Sequence, residues 1–261
     1  MTEQQPPANP AFTSEVVYSL PYRGEIREDI VYGEEFESLD IFYPDSGTGP
    51  FPAVVFVIGF PDPGFEAMTG KKLKDLTPCQ SWARLIAASR MAAVLYATVD
   101  PARSSVTCLE YLRSQADALA IDADRIGLWA CSGNVPVAIH LLNSVPGICC
   151  ANLNYGYMLD LNDSTTVQDA SAQFRFANPN HGRDSFPENV DLLVVKAGKD
   201  EFPGINDGID AFVVEGRARK VKMELIEYSQ GVHAFDVLDS SAQSIEIVQQ
   251  MLEFFTTRLA A

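Results

Sequence analysis

The sequence predicts an α/β protein with a mostly parallel, twisted central sheet and helices on both faces. Short runs rich in Val, Ile, Leu and Ala are apolar on both faces, which is typical of strands buried inside a parallel sheet. These runs alternate with longer segments that have helical spacing. Such alternation is typical of βαβ units, in which a helix connects two parallel strands.

The elements follow one another without an internal repeat or a linker. An extended region at 26–43 comes first, and Pro44 ends it. Buried strands are then predicted at 53–58, 92–96, 126–130, 148–153, 192–197 and 222–228, and helices at 80–89, 106–120, 135–142, 208–214 and 241–259. We therefore expect a single domain over 26–261, preceded by a partly disordered extension at 1–25. The irregular, polar stretch at 160–190 is either a small lid or a surface excursion.

Composition excludes several classes of partner. The 261 residues include 35 Asp and Glu against 19 Lys and Arg, for a net charge of −16. Nucleic acids and anionic membranes bind largely through Lys and Arg, so we expect neither as a main partner. No apolar run is long enough to span a membrane, and the first residues lack the pattern of a secretory signal, so a cytoplasmic protein is expected.

The five cysteines are odd in number and lack metal-ligand spacing. We therefore predict no disulfide framework, no metal site and no cofactor. The final helix could pack on its own sheet or on a second copy of the chain, which leaves a homo-oligomer open.

A strand-to-helix junction carries the first candidate site residue. The strand predicted at 126–130 runs into a helix through Cys131 and Ser132. A nucleophile on such a turn is forced outward in a strained conformation, and the residues two before and two after it must be small. Around Ser132 these are Ala130 and Asn134, whereas Cys131 would place an indole at one crowded position. Ser132 is therefore the better nucleophile, with Cys131 as the alternative.

Two further candidates follow later strands. Asp200 comes just after the strand at 192–197, and His233 lies in the loop after the strand at 222–228. The carboxyl ends of parallel strands meet at one edge of a sheet, so these side chains can converge with Ser132. Serine, aspartate and histidine in this chain order favour a catalytic triad, in which the imidazole takes the hydroxyl proton and the carboxylate orients the imidazole.

Acyl transfer also requires N–H donors for the carbonyl oxygen that becomes negatively charged. We predict one donor at the N–H of Gly133, at the start of a helix whose positive end favours an anion. The second is predicted at the N–H of Phe60, where Gly59 permits a tight turn. Gly59 and Tyr155 are further predicted to contact the substrate.

These residues resemble the α/β-hydrolase superfamily, and in size its dienelactone hydrolase-like and small carboxylesterase-like branches. The resemblance extends from about Asp29 and rests on the segments 39–44, 121–128, 198–200 and 231–235. It implies a serine hydrolase that cleaves a small or medium acyl ester or lactone through an acyl-enzyme intermediate.

Two departures from the family pattern keep alternatives open. The His-Gly-Gly motif of many esterases is replaced by Ile58-Gly59-Phe60, and the nucleophile turn lacks both of its usual glycines. One alternative is a hydrolase-fold protein that binds a ligand or partner without turning it over. The other is a dienelactone-type hydrolase that uses Cys131.

Overall fold

The computed structural model describes residues 9–34 and 36–260. Its strands are β1 (Ile26–Val31), β2 (Ser38–Phe42), β3 (Phe51–Phe56), β4 (Ala92–Tyr96), β5 (Ile121–Cys131), β6 (Ile148–Asn154), β7 (Asp191–Ala197) and β8 (Met223–Tyr228). In the described part of the chain these form one 8-stranded sheet in the order β1-β2-β4-β3-β5-β6-β7-β8. Only β1 and β2 pair antiparallel, β1 with β2 and β2 with β4; every other neighbouring pair is parallel. The predicted mostly parallel sheet is confirmed.

Helices cover both faces of this sheet. They are α1 (Pro10–Thr13), α2 (Asp62–Thr69), α3 (Thr77–Ala88), α4 (Pro101–Ser114), α5 (Val135–Ser144), α6 (Thr166–Phe174), α7 (Ile205–Ala218), α8 (Phe235–Leu238) and α9 (Ala242–Arg258). One apolar cluster joins the sheet to α4, α5 and α7, and a second joins it to α3 and α9. Because both faces are covered, Val54 and Val55, neighbours in β3 with opposite orientations, are both buried.

The helix predicted at 106–120 lies earlier in the chain than expected. Helix α4 begins at Pro101, because the side chain of Asp100 caps it by accepting a hydrogen bond from the N–H of Arg103. The helix ends at Ser114, and strand β5 already begins at Ile121, five residues before the predicted start at 126.

The chain before β1 is attached to the core. The N–H of Val16 donates to Ser81 Oγ at 2.9 Å, and the N–H of Val17 donates to the carbonyl of Asp236 at 2.8 Å. The extension at 1–25 was predicted to be partly disordered. Its residues 1–8 lie outside the described residues. No helix in the described part of the chain is both long and apolar enough to cross a membrane.

Candidate active site

The turn at 131–134, which we call the nucleophile turn after the role predicted for Ser132, has the predicted strained backbone. Strand β5 ends at Cys131, and Ser132 opens a short 3₁₀ helix, Ser132–Asn134, that continues into α5. Ser132 has a φ of +54°, in the left-handed region that residues other than glycine rarely adopt. Backbone strain of this kind concentrates at functional sites because the surrounding structure must maintain it.

Ser132, His233 and Asp200 form a hydrogen-bonded series. His233 Nε2 lies 2.9 Å from Ser132 Oγ, and His233 Nδ1 lies 2.6 Å from Asp200 Oδ2. The Asp200 side chain has 0% exposure and that of His233 20%, so solvent reaches only the histidine end of this hydrogen-bonded pair. The second carboxylate oxygen of Asp200 accepts the N–H of Phe202 at 3.0 Å, which fixes the carboxylate plane. This arrangement can move the Ser132 hydroxyl proton to the imidazole.

The loop after β3 packs directly on the nucleophile turn. A Cβ on Gly59 would lie 2.3 Å from the carbonyl oxygen of Gly133, and one on Gly133 would lie 2.8 Å from the Phe60 ring. Glycine is therefore required at both positions for this close approach. Neither the N–H of Gly133 nor that of Phe60 donates to an acceptor within the described residues. The two predicted oxyanion donors thus lie on segments that pack together, the loop after β3 and the turn that carries Ser132. Neither N–H is bonded within the described residues.

Asn134 occupies the turn position at which a small residue was expected. Its Oδ1 accepts the N–H of Gly59 at 2.7 Å, and its Nδ2 donates to Cys131 Sγ at 3.7 Å. The larger side chain therefore fits because it bonds to the loop after β3 instead of colliding with it.

The two predicted substrate contacts face the protein interior. The N–H of Gly59 is bound to Asn134, and its carbonyl accepts the N–H of Ala177 at 2.8 Å. Tyr155 is 2% exposed, and its hydroxyl donates to Asp236 at 2.6 Å. The polar groups of both residues already have protein partners, so neither residue has a free polar group for the substrate, and their substrate contact stays a prediction. Tyr155 supports His233, with ring centroids 5.1 Å apart in an edge-to-face contact.

Asp236 anchors a buried network behind the histidine that the sequence did not point out. It is 1% exposed and accepts hydrogen bonds from the Tyr155 hydroxyl at 2.6 Å and from Trp82 Nε1 at 2.7 Å. Burial raises the pKa of this carboxyl above its ordinary value, while the two donors act in the opposite direction. The available signal was an acidic residue three positions after His233, in a segment otherwise apolar.

Aromatic side chains lie beside His233 and beside the turn that carries Ser132. The ring centroids of Phe202 and His233 are 4.5 Å apart, and those of Phe202 and Phe174 are 5.7 Å apart. Phe202 is 40% exposed. Phe176 packs against Phe60 at 6.0 Å and stacks on Tyr157 at 5.2 Å. We call Phe60, Phe174, Phe176 and Phe202 the aromatic wall. Phe202 is its exposed member, whereas Phe176 is only 5% exposed.

The stretch predicted at 160–190 supplies two members of this wall. It contains α6 and a 3₁₀ helix, Gly182–Ser185, and its residues Phe174 and Phe176 face the site. The Ala177 N–H bond to Gly59 fastens the stretch to the loop after β3. Its role as a lid stays a prediction, but its position beside the site is now defined. Two of the three phenylalanines in this stretch, Phe174 and Phe176, make these contacts, and no sequence pattern indicated which of them would.

Cys131 is held by contacts within the protein. Its sulfur is bonded by Asn134 and packs at the edge of the apolar cluster that contains Trp82. Burial, followed by the charge of Asp236, raises the pKa of the Cys131 thiol well above its ordinary value. The thiol is therefore protonated at neutral pH, and the histidine hydrogen bond goes to Ser132.

Solved structures of esterases share this fold. An esterase from Mycobacterium marinum, LipW, superposes with a TM-score of 0.68 at 17% identity, covering 91% of this chain and 83% of that one. An esterase from Pyrobaculum calidifontis gives a TM-score of 0.66 at 16% identity, with 94% and 88% covered. A bacterial heroin esterase gives 0.68 at 14% identity, again with 94% and 88% covered. No protein-family model and no curated protein matches the chain.

The fold follows from these observations. The chain has the α/β-hydrolase fold, in agreement with the sequence-based resemblance. The similarity does not single out the dienelactone hydrolase-like branch.

Proposed function

We propose that the protein is a serine esterase that cleaves a small or medium acyl ester or lactone through an acyl-enzyme on Ser132. The observation that carries this proposal is the hydrogen-bonded series from Ser132 through His233 to Asp200. The esterases with the same fold support the reaction class.

In the acylation half, Ser132 Oγ attacks the acyl carbon while His233 Nε2 takes its proton. The carbonyl electron pair moves onto the oxygen, and the N–H groups of Gly133 and Phe60 stabilise the resulting oxyanion. When the tetrahedral intermediate collapses, the alcohol oxygen leaves and takes the proton from Nε2. The products of this half are the free alcohol and an ester of Ser132.

In the deacylation half, water replaces the alcohol. His233 takes a proton from the water as its oxygen attacks the acyl carbon, and the same N–H groups stabilise the second oxyanion. Collapse breaks the bond to Ser132 Oγ, which recovers its proton from Nε2, and the carboxylic acid is released. Throughout, the Asp200 carboxylate accepts a hydrogen bond from the Nδ1–H of His233 and stabilises the imidazolium.

The substrate should be neutral and largely apolar. The aromatic wall favours an apolar acyl or alcohol group through ring contacts. The net charge of −16 creates a field that disfavours a strongly anionic ester or a polyanionic partner. We therefore propose a small uncharged ester as the partner of this site.

Ser132 is preferred over Cys131 as the nucleophile. The imidazole contacts the hydroxyl, and the thiol is protonated in a largely apolar environment. A binding-only role accounts less well for a strained serine aligned with both of its partners.

Hydrolysis of p-nitrophenyl acetate and p-nitrophenyl butyrate tests the proposal. We expect the wild type to hydrolyse both esters, and Ser132→Ala to lose at least about 10³-fold in kcat. Cys131→Ala, the adjacent residue with a similar change in size, should lose less than about tenfold, since it removes only packing and the long 3.7 Å contact from Asn134 Nδ2. Loss of activity in Cys131→Ala with retention in Ser132→Ala would reverse the assignment. A folded but inactive wild type would favour the binding-only alternative.

A further inference from the structure

We infer that Asn134 is a positioning residue for the oxyanion hole, because it fixes the Ile58–Gly59 peptide, which directly precedes the peptide that carries the Phe60 N–H. This inference rests on the proposed function, since an oxyanion hole matters only if the site performs acyl transfer.

The two departures from the hydrolase pattern are in direct contact. Asn134 stands where the nucleophile turn usually has a glycine, and Gly59 belongs to the Ile58-Gly59-Phe60 segment that replaces His-Gly-Gly. The 2.7 Å hydrogen bond from the Gly59 N–H to Asn134 Oδ1 joins them. The asparagine that replaces one glycine of the turn therefore accepts a hydrogen bond from the segment that replaces His-Gly-Gly.

Gly59 is held on both sides. Its N–H is bound to Asn134, and its carbonyl oxygen accepts the N–H of Ala177 at 2.8 Å. The peptide between Gly59 and Phe60 is planar and trans, so its N–H points away from its carbonyl oxygen. With the carbonyl directed to Ala177, the Phe60 N–H is directed to the opposite side.

The backbone conformation of Gly59 has to be fixed by contacts with other residues. Only glycine fits at position 59, because a Cβ would lie 2.3 Å from the Gly133 carbonyl oxygen and 2.8 Å from Asn134 Cα. Glycine also has the greatest backbone freedom of any residue, so the Gly59–Phe60 peptide could otherwise rotate its carbonyl toward the site. A carbonyl there would repel the developing oxyanion. The Asn134 bond opposes that rotation from the N-terminal side of Gly59.

Asparagine suits this position chemically. Its amide oxygen accepts a hydrogen bond without placing a formal charge beside the developing oxyanion. The amide nitrogen donates to Cys131 Sγ at 3.7 Å, which directs the oxygen toward Gly59. A carboxylate would offer the same acceptor but would oppose the oxyanion electrostatically.

The test compares substrate turnover with the affinity for a compound that forms an oxyanion. Asn134→Ala and Asn134→Gly are assayed with p-nitrophenyl acetate. Their inhibition by an aryl trifluoromethyl ketone, which adds the serine oxygen to form a hemiketal oxyanion, is compared with that by the matching methyl ketone. Asn143→Ala is the matched control, because Asn143 lies on α5, the helix that follows Asn134, and its amide also donates a hydrogen bond, to the Ser185 carbonyl at 2.7 Å.

We expect both Asn134 variants to lose roughly 10- to 100-fold in kcat, less than the loss of a whole oxyanion donor, with KM changed less than about threefold. Affinity for the trifluoromethyl ketone should fall by a similar factor, while affinity for the methyl ketone and the kcat of Asn143→Ala stay near wild type. Unchanged kcat and trifluoromethyl ketone affinity in a folded Asn134→Ala or Asn134→Gly would overturn the inference. Equal loss of affinity for both ketones would also overturn it. A wild type without esterase activity would instead reject the proposed function.

Discussion

His233 Nδ1 lies 2.6 Å from Oδ2 of Asp200, whose carboxylate is fully buried. A buried carboxylate that accepts a hydrogen bond from the Nδ1–H of the ring leaves Nε2 to act as the base. This is the tautomer of His233 that the proposed reaction requires. The catalytic role proposed for His233 therefore depends on Asp200.

Replacing that carboxylate by an amide tests this dependence. We expect Asp200→Asn to lower kcat by about 10³- to 10⁴-fold with a small change in KM, because the amide can hold the ring in the wrong tautomer. Steady-state hydrolysis of p-nitrophenyl acetate measures it. Asp210→Asn, the same change in an exposed residue paired with Lys196, should keep wild-type rates. Equal rates for Asp200→Asn and wild type would contradict the triad.

The buried thiol of Cys131 should be unreactive. Because its pKa is raised, the thiolate fraction at pH 7.5 is smaller than for an ordinary cysteine, and alkylation requires the thiolate. We expect iodoacetamide at this pH to leave esterase activity intact and Cys131 unmodified by peptide mass spectrometry. Inactivation that occurs in Ser132→Ala but not in Cys131→Ala, with the adduct on Cys131, would identify the thiol as the nucleophile.

The aromatic wall should contribute to substrate affinity. Phe202 is 40% exposed and contacts the His233 ring, so truncating it removes a surface for the substrate with little loss of core packing. We expect Phe202→Ala to raise KM for aryl esters about 3- to 10-fold, the range expected for one aromatic contact, with Tm nearly unchanged. Val214→Ala, at an exposed position on α7, is the control and should leave KM unaltered. A change in kcat alone would place Phe202 in another role.

Asp236 should make stability depend on pH. Burial raises its pKa in the folded state above the unfolded value of about 3.9, so the folded protein retains this proton to higher pH. The stability contribution of Asp236 is therefore fully present below the unfolded pKa and is lost as pH rises through the folded pKa.

Urea denaturation of wild type and Asp236→Asn at several values between pH 4 and pH 7 measures this effect. The difference in free energy of unfolding between the two proteins isolates Asp236 from the other carboxylates. We expect wild type to lose stability relative to Asp236→Asn as pH rises. A constant difference would show that Asp236 has the same pKa in both states.

The fold and the meeting of the triad residues could be predicted because both depend on chain order. Strands that are apolar on both faces imply a covered parallel sheet, and residues that follow such strands gather at one edge. Ser132, Asp200 and His233 each follow a strand, and the structure brings them into hydrogen-bond contact. Their catalytic roles stay predictions.

The surroundings of the site could not be predicted, because they depend on tertiary contacts without a sequence period. The stretch at 160–190 has no pattern that shows Phe176 packing over Gly133. Tyr155 was predicted to contact the substrate, yet its hydroxyl donates to the buried carboxylate of Asp236. Asn134 looked like a defect of the nucleophile turn, since the Gly59 N–H that it binds is distant in sequence.

Covalent labelling tests the central claim most directly. A fluorophosphonate is added to the folded wild type, the intact mass is measured, and the modified peptide is identified by tandem mass spectrometry. An activated serine nucleophile predicts one adduct per chain, on Ser132, lost in Ser132→Ala and strongly slowed in Asp200→Asn. Folded wild-type protein without an adduct, or with the adduct on another residue, would contradict the claim.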